Sequence, residues 1–375
     1  MAFFNRNICQ KIYGVKMNLN PNIGQARKHH IAWWNHKGLV LNLTAPKSNP
    51  VVKDVLGIPS DPRERWTDIR VSCEVAEYNM GKTRYYADSL PLLCAVFGPG
   101  SLGEILGAKP VYEPTTVWYE SCVSDPDTYG PIRFNSHGNA QLDLHVRYVD
   151  EAVRRSKGRY MVAMGDLIEN LDTLATLRGN EELLFDLIER PSWIHKCQQE
   201  ILQAFYEVFD LFYQKTKDEQ GGNAFVFDIW GPGRTCKVQC DFSCMISPEM
   251  FKEFAMPYFK SQCDWLDYSL FHLDGETALQ HLDDLLSIDS LDAIEWTPMG
   301  ASGENNTSPT GGSQHWYDLY RRIKAAGKSV QAIGVKPDEV LPLIEAVGPE
   351  GLYVCCRAPD EATAEKIVQK TEQFM

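Results

Sequence analysis

The last third of the chain alternates four short apolar runs with four helical patterns, and this alternation constrains the fold more than any other feature. The runs are Tyr268–Leu273, Leu291–Thr297, Ser329–Val335 and Gly351–Cys356, and the helical patterns start near Glu276, Ser313, Pro337 and Pro359. Gly327 follows RRIKAA and Gly348 follows LIEAV, where a left-handed C-terminal cap belongs. Strands that alternate with helices of about 10–15 residues form βαβ units and a parallel sheet.

Four further strand candidates lie upstream: Gly38–Thr44, Leu90–Phe97, Tyr160–Gly165 and Ala224–Ile229. Each is long enough for a strand and too short for a helix. Eight parallel strands with interposed helices make an α/β fold of the (β/α)8 barrel (TIM barrel) type. The 375 residues then divide into an N-terminal extension over 1–30 and one barrel domain over 31–375, with an insertion around 98–150. An open doubly wound sheet would want a glycine-rich turn after its first strand, and GLVLNLTAPKSNP has none. Two covering helices are expected, one over Glu181–Lys215 with a break at Arg190-Pro191, one opened by Ser247-Pro248. The polar stretch GASGENNTSPTGGSQ (300–314) reads as a lid or substrate loop.

Composition removes several function classes. The formal net charge is −13, so no whole-protein field attracts nucleic acid. No apolar run approaches the roughly 18–20 residues that span a bilayer. The eleven cysteines are odd in number, scattered and without a CxxC pair. They read as reduced thiols of a cytoplasmic protein rather than a disulfide scaffold.

In such a barrel the chemistry sits at the carboxyl ends of the strands. Asp166 follows the third candidate strand, while Asp228, Trp230 and Arg234 follow the fourth. His272 and Asp274 lie two apart on one strand and therefore point to the same side. Imidazole, carboxylate and thiolate are all zinc ligands, and either Cys355 or Cys356 would supply the sulfur. The plainer reading makes Asp274 a helix cap and His272 an interior residue. Glu295, inside the apolar IEWTP, must be solvated, paired or metal-bound, which makes it a fourth ligand or an acid/base. Asp228 is a candidate catalytic or substrate-bonding carboxylate. Asp166, Trp230 and Arg234 are candidates for substrate binding, Trp230 otherwise being core. Cys236, Cys240 and Cys244 form one helical stripe, which closes no tetrahedron. His29, His30 and His36 with Trp33 and Trp34 suggest a lid or a surface amphipathic helix, and His281 and His315 read as surface residues.

The stretch CDFSCMISPEMFKEFAMPYFK (240–260) resembles the uroporphyrinogen decarboxylase superfamily. FHLDG, IEWTP, LYRRIKAAGK, GLYVCCRAP and LATLRGNEELLFDLIERP (174–191) are similar to it as well. The resemblance implies a (β/α)8 barrel and one of two chemistries. One branch decarboxylates without a cofactor and binds propionates through an arginine-rich N-terminal motif. Here that region reads RKHHIAWWNHKGLVLNLTAP, with Arg27 its only arginine. The other branch comprises zinc-dependent methyltransferases that work with corrinoid proteins through an HxC motif and a cysteine in CGLAP. FHLDG places Asp274 where that motif has cysteine, and CCRAP aligns Cys355 with the later ligand. The resemblance therefore implies zinc on His272, Asp274 and Cys355, a corrinoid carried by a partner protein, and a homodimer. An oxygen-richer site is a harder Lewis acid, which suits an O- or N-methylated donor. The expected function is methyl transfer from such a small molecule to a corrinoid protein. The alternatives are a metal-free decarboxylase or lyase, with Asp228 as acid and Arg234 as carboxylate clamp, and a small-molecule-binding barrel without turnover.

Overall fold

The structure is a computed structural model that describes residues 22–299 and 309–375. Thirteen strands occur in it: β1 Leu39–Pro46, β2 Thr83–Ala87, β3 Leu92–Cys94, β4 Lys109–Tyr112, β5 Val117–Glu120, β6 Met161–Ala163, β7 Asn223–Phe225, β8 Ile229–Gly231, β9 Thr235–Gln239, β10 Tyr268–Asp274, β11 Ala293–Thr297, β12 Ser329–Val335 and β13 Leu352–Arg357. They build a seven-stranded sheet in the order β2-β1-β13-β12-β11-β10-β9, a four-stranded sheet β3-β6-β7-β8 and the hairpin β4-β5. From β1 through β13 to β9 every pairing in the larger sheet is parallel, and β2 is antiparallel to β1. The protein is thus a mixed α/β fold with a parallel sheet.

Alternation along each strand sorts the side chains onto two faces. Leu39, Leu41 and Leu43 of β1, Phe271 and Leu273 of β10, Ile294 and Trp296 of β11, and Val354 and Cys356 of β13 join one large apolar cluster with the helices. The helices Ala140–Ser156, Pro191–Thr216, Val340–Val347 and Glu361–Thr371 close that outer face. The opposite, inner face carries Val40, Leu270, Ala293 and Tyr353 near the strand starts. Beyond them, in the same alternation, come Asn42, His272, Glu295, Gln331 and Cys355. A strand that buries both faces leaves no place for a polar residue except where a partner waits, and the site is built on this row.

The helix α1, Ile23–Trp34, packs across the strand starts and fully buries Trp33 and Trp34. The Trp33 indole donates to Val330 O at 3.2 Å and the Trp34 indole to Trp230 O at 3.0 Å. This tryptophan-rich segment is therefore neither a lid nor a surface helix, and it begins within the stretch expected as an extension. Side chains bridge the edges of the two sheets. Asp88 accepts from Leu41 N at 3.0 Å, and Ser89 Oγ bonds Leu43 N at 2.7 Å and Leu43 O at 2.6 Å. Asn223 bonds both Thr235 O (2.9 Å) and Thr235 N (3.0 Å).

The expected strand Ala224–Ile229 is instead a tight hairpin, β7 and β8, with Phe225 paired to Ile229. Phe227 and Asp228 at its tip both have left-handed backbone, at φ 69° and 59°. The insertion over 98–150 contains the hairpin β4-β5 and the helix Ala140–Ser156, whose Leu142, Tyr148, Val149 and Ala152 face the core. His281 is buried, bonds Ser243 O and stacks on Phe251, so it is not the surface residue expected. Residues 300–308 of the expected lid loop lie outside the described residues. Among the described residues no helix is long and apolar enough to cross a membrane.

Candidate functional site

Asp241, His272 and Asp274 converge at the carboxyl ends of β9 and β10, each offering one ligand atom within 4.8 Å of the others. His272 and Asp274 share the inner face of β10 by their spacing. Asp241 follows β9 by two residues and opens a short 3₁₀ turn, Asp241–Met245. Both carboxylates are exposed, whereas the His272 side chain is only 11% exposed.

The imidazole is held in one orientation. His272 Nδ1 bonds Glu295 Oε2, and Thr297 Oγ1 donates to Glu295 Oε1 at 2.5 Å. A carboxylate only accepts, so the Nδ1 proton is assigned to His272 and the Nε2 lone pair is left for a cation. Glu295 is fully buried and both its oxygens are engaged, which suits the orienter of a ligand better than a ligand. Phe227 lies over the imidazole at 4.7 Å between ring centres. Burial opposes a charged imidazole here, but the Glu295 carboxylate outweighs it and the His272 pKa is raised.

Asp241 is held by a polar network under the site. Gln239 Nε2 donates to Asp241 Oδ2 at 2.9 Å. The Gln239 carbonyl accepts from Lys237 Nζ, so the amide cannot turn round. Lys237, 3% exposed, also forms an ion pair with Asp166 at 2.5 Å. The backbone N–H groups of Asp241 and Phe242 both donate to Asp172 at 2.8 Å. Glu169, 1% exposed, accepts from Gln239 N at 3.1 Å.

Burial pushes the Glu169 carboxyl up to about 8, against the opposing pull of Lys237. A carboxyl whose pKa is higher folded than unfolded stabilises the protein below its unfolded pKa. That contribution is lost as pH rises through the folded value. Stability should therefore fall between pH 5 and 8, with Glu169 contributing at most about 1.4 kcal/mol per pH unit. Glu169→Gln should flatten this slope in urea unfolding curves measured across that range. An unchanged slope would place the titration elsewhere.

The hairpin tip faces the site from the other side. Asp228 Oδ2 accepts from Asn42 Nδ2 at 3.2 Å, and Asp228 O accepts from Tyr353 Oη at 2.7 Å. Phe227 O accepts from Gln331 Nε2 at 2.8 Å. Burial among these groups raises the Asp228 carboxyl, although it is open to solvent, while Asn42 and Arg357 pull it down. Cys355 is the inward member of the cysteine pair; Cys356 belongs to the outer core. Its Sγ lies 3.3 Å from Gln331 Nε2 and 3.9 Å from Asn42 Nδ2. Burial, then Asp228, raises the Cys355 pKa. Cys355 is not a member of the Asp241–His272–Asp274 group.

Two expected substrate residues lie away from this end. Arg234 precedes β9 at its amino end, bonds Asp210 at 2.9 Å and covers Trp265. Trp230 is buried against α1, its indole on Asp218 at 2.9 Å. Both follow from β8 running back towards the strand starts. Asp166 is beside the site, as Lys237's partner. Asp241, Lys237 and Gln239 were not foreseen, although TCKVQ alternates polar and apolar residues as a half-buried strand does.

The sequence matches no protein-family model and no curated protein. Solved structures do match. The chain is similar to a methyltransferase from Methanosarcina mazei, at TM-score 0.60 and 9% identity, over 93% of this chain and 98% of that one. It is also similar to a B12-independent methionine synthase from a Shewanella species, solved with selenomethionine, at TM-score 0.40 and 11% identity over 72% and 77% of the two chains. The first likeness shows that the two chains share a fold across nearly their whole lengths.

Proposed function

We propose that this protein is a zinc-dependent methyltransferase on a single (β/α)8 barrel over 31–375. It would move a methyl group from an O- or N-methylated small molecule to a corrinoid carried by a partner protein, in the cytoplasm. The observation that carries the reading is the convergence of Asp241, His272 and Asp274, with His272 oriented by a buried Glu295. Two carboxylates and an imidazole with its far nitrogen anchored are a donor set that fits zinc. Asp241 takes the third ligand place in this reading, since Cys355 lies outside the group and is engaged by Gln331 and Asn42. The fold shared with a methyltransferase agrees with it.

Bound there, zinc supplies Lewis-acid polarisation of the oxygen or nitrogen that gives up the methyl group. The chain's own residues prepare the place. Glu295 keeps the Nδ1 proton and the ring plane of His272. Gln239, locked by Lys237, aims Asp241. Phe227 covers one face of the imidazole, and Asp228 orients the donor from the opposite side. A decarboxylase with Arg234 as its carboxylate clamp fits less well, because Arg234 sits at the strand starts.

Elemental analysis of the purified chain tests the reading, with about one zinc per chain expected. The zinc protein should then consume cob(I)alamin, followed by its visible absorption, when methoxylated or N-methylated donors are added. Failure to take up zinc on reconstitution, with carbon dioxide released from carboxylated substrates in chelator, would turn the assignment to decarboxylation.

A further inference from the structure

Asp228 and Arg357 are two opposite charges that face one site and do not meet. Asp228 sits on the tip of the β7–β8 hairpin, where Asn42 is its only hydrogen-bond donor among the described residues. Its backbone is pinned from below by Tyr353 and, one residue earlier, by Gln331. The carboxylate is thus held out to solvent on a stiff support.

Arg357 ends β13 two residues after Cys355, so both point to the inner face. Cys355 pairs in register with Asn42, the residue that bonds Asp228, and Arg357 pairs with Thr44. The guanidinium therefore stands one step above Asp228, close enough to influence its ionisation. The Arg357 side chain is exposed and makes no hydrogen bond or ion pair among the described residues. Tyr85, paired with Thr44 from the other side, lies near both charges. Elsewhere on this face cations are already matched: Lys237 by Asp166, and the His272 imidazole by Glu295.

We infer that Asp228 and Arg357 form a subsite for a zwitterionic head group, so that the methylated donor is an amino-acid-like molecule. Its ammonium bonds Asp228 and its carboxylate bonds Arg357 as a planar fork. The methyl-bearing end then turns across the face towards Asp241, His272 and Asp274. This names the substrate class of the site and rests on the methyltransferase reading for the role of the far end. A carboxylate alone would leave Asp228 unmatched, and an amine alone would leave Arg357 unmatched.

The test is calorimetric titration of the full chain with O-methyl-L-homoserine and its two truncations, γ-methoxybutyrate without the ammonium and γ-methoxypropylamine without the carboxylate. The whole compound should bind at least about tenfold more tightly than either truncation, the size of one charge-assisted hydrogen bond lost. Asp228→Asn should abolish the advantage over γ-methoxybutyrate and leave binding of γ-methoxybutyrate unchanged. Arg357→Gln should abolish the advantage over γ-methoxypropylamine alone. Asn tolerates the left-handed backbone at 228, and Arg357 is exposed, so both variants should fold. Equal affinity for all three compounds, no measurable binding of the whole compound, or an unchanged pattern in the variants overturns the inference. The titrations are run with and without zinc. Zinc uptake without zwitterion preference sinks this inference and spares the metal reading. Zwitterion preference in a chain that takes up no zinc does the reverse.

Discussion

Replacing His272 with alanine should lower zinc affinity by more than about 100-fold, beyond the 10–100-fold typical of losing an outer partner. The reason is local. His272 is the only nitrogen donor of the three-residue group, and its orientation is set by the buried Glu295 carboxylate. The substitution also leaves Glu295 buried with Thr297 as its remaining partner. The variant should lose about 1–3 kcal/mol of stability. That is less than the 5–15 kcal/mol typical of a folded domain, so the variant should fold. Asp274→Asn separates the two effects. Asp274 is exposed, so the amide should cost no stability and still weaken the metal. Equilibrium dialysis with elemental analysis, beside urea unfolding, reads both quantities. Stoichiometric zinc in His272→Ala would remove the ligand assignment.

The parts of the fold legible in the sequence are those where packing alone dictates residue type. β10 to β13 alternate apolar outer residues with inner residues, and glycine ends the helices between them: Gly327 and Gly348 have φ of 76° and 86°. The helix break at Arg190-Pro191 and the Ser247 cap, which accepts from Met250 N, also stand where local chemistry puts them. The eight-strand reading went astray at residues 223–239. There the inward residues are polar, and their partners come from distant segments: Asp166, Glu169 and Asp172 for β9, Asn42, Gln331 and Tyr353 for the hairpin tip. TCKVQ does alternate polar and apolar residues, with Cys236 and Val238 on the core face, but nothing local shows how its lysine and glutamine are satisfied. The same gap hid Asp241, because a residue is placed at a strand end only once the strand is known. His272, Asp274 and Glu295 were legible because a charged group in an apolar strand needs a partner. The choice between Cys355 and Cys356 needed the strand's phase, which the pairing of Cys355 with Asn42 supplies.

Lys237→Met should be the most destabilising single change on the inner face. Methionine matches the length of the lysine stem, so the loss is one of charge rather than volume. Lys237 is a buried cation beside Asp166, Glu169 and Asp241; burial lowers its pKa, but these carboxylates outweigh it and raise it. Breaking such a pair from one side leaves uncompensated buried charge and costs about 3–5 kcal/mol. The cost should shrink as pH falls from 8 to 5, because the stranded Glu169 can take up a proton instead. A second consequence reaches the site. Without Lys237 the Gln239 amide is free to turn, and Asp241 loses its fixed donor. Zinc affinity should then drop about 10–100-fold, the range for outer partners of a metal site. The two readouts constrain each other. A large stability loss with unchanged zinc affinity would confine Lys237 to holding β9. An unchanged stability at pH 8 would mean that the carboxylates beneath the site are already protonated, and that the network is held by hydrogen bonds rather than by charge.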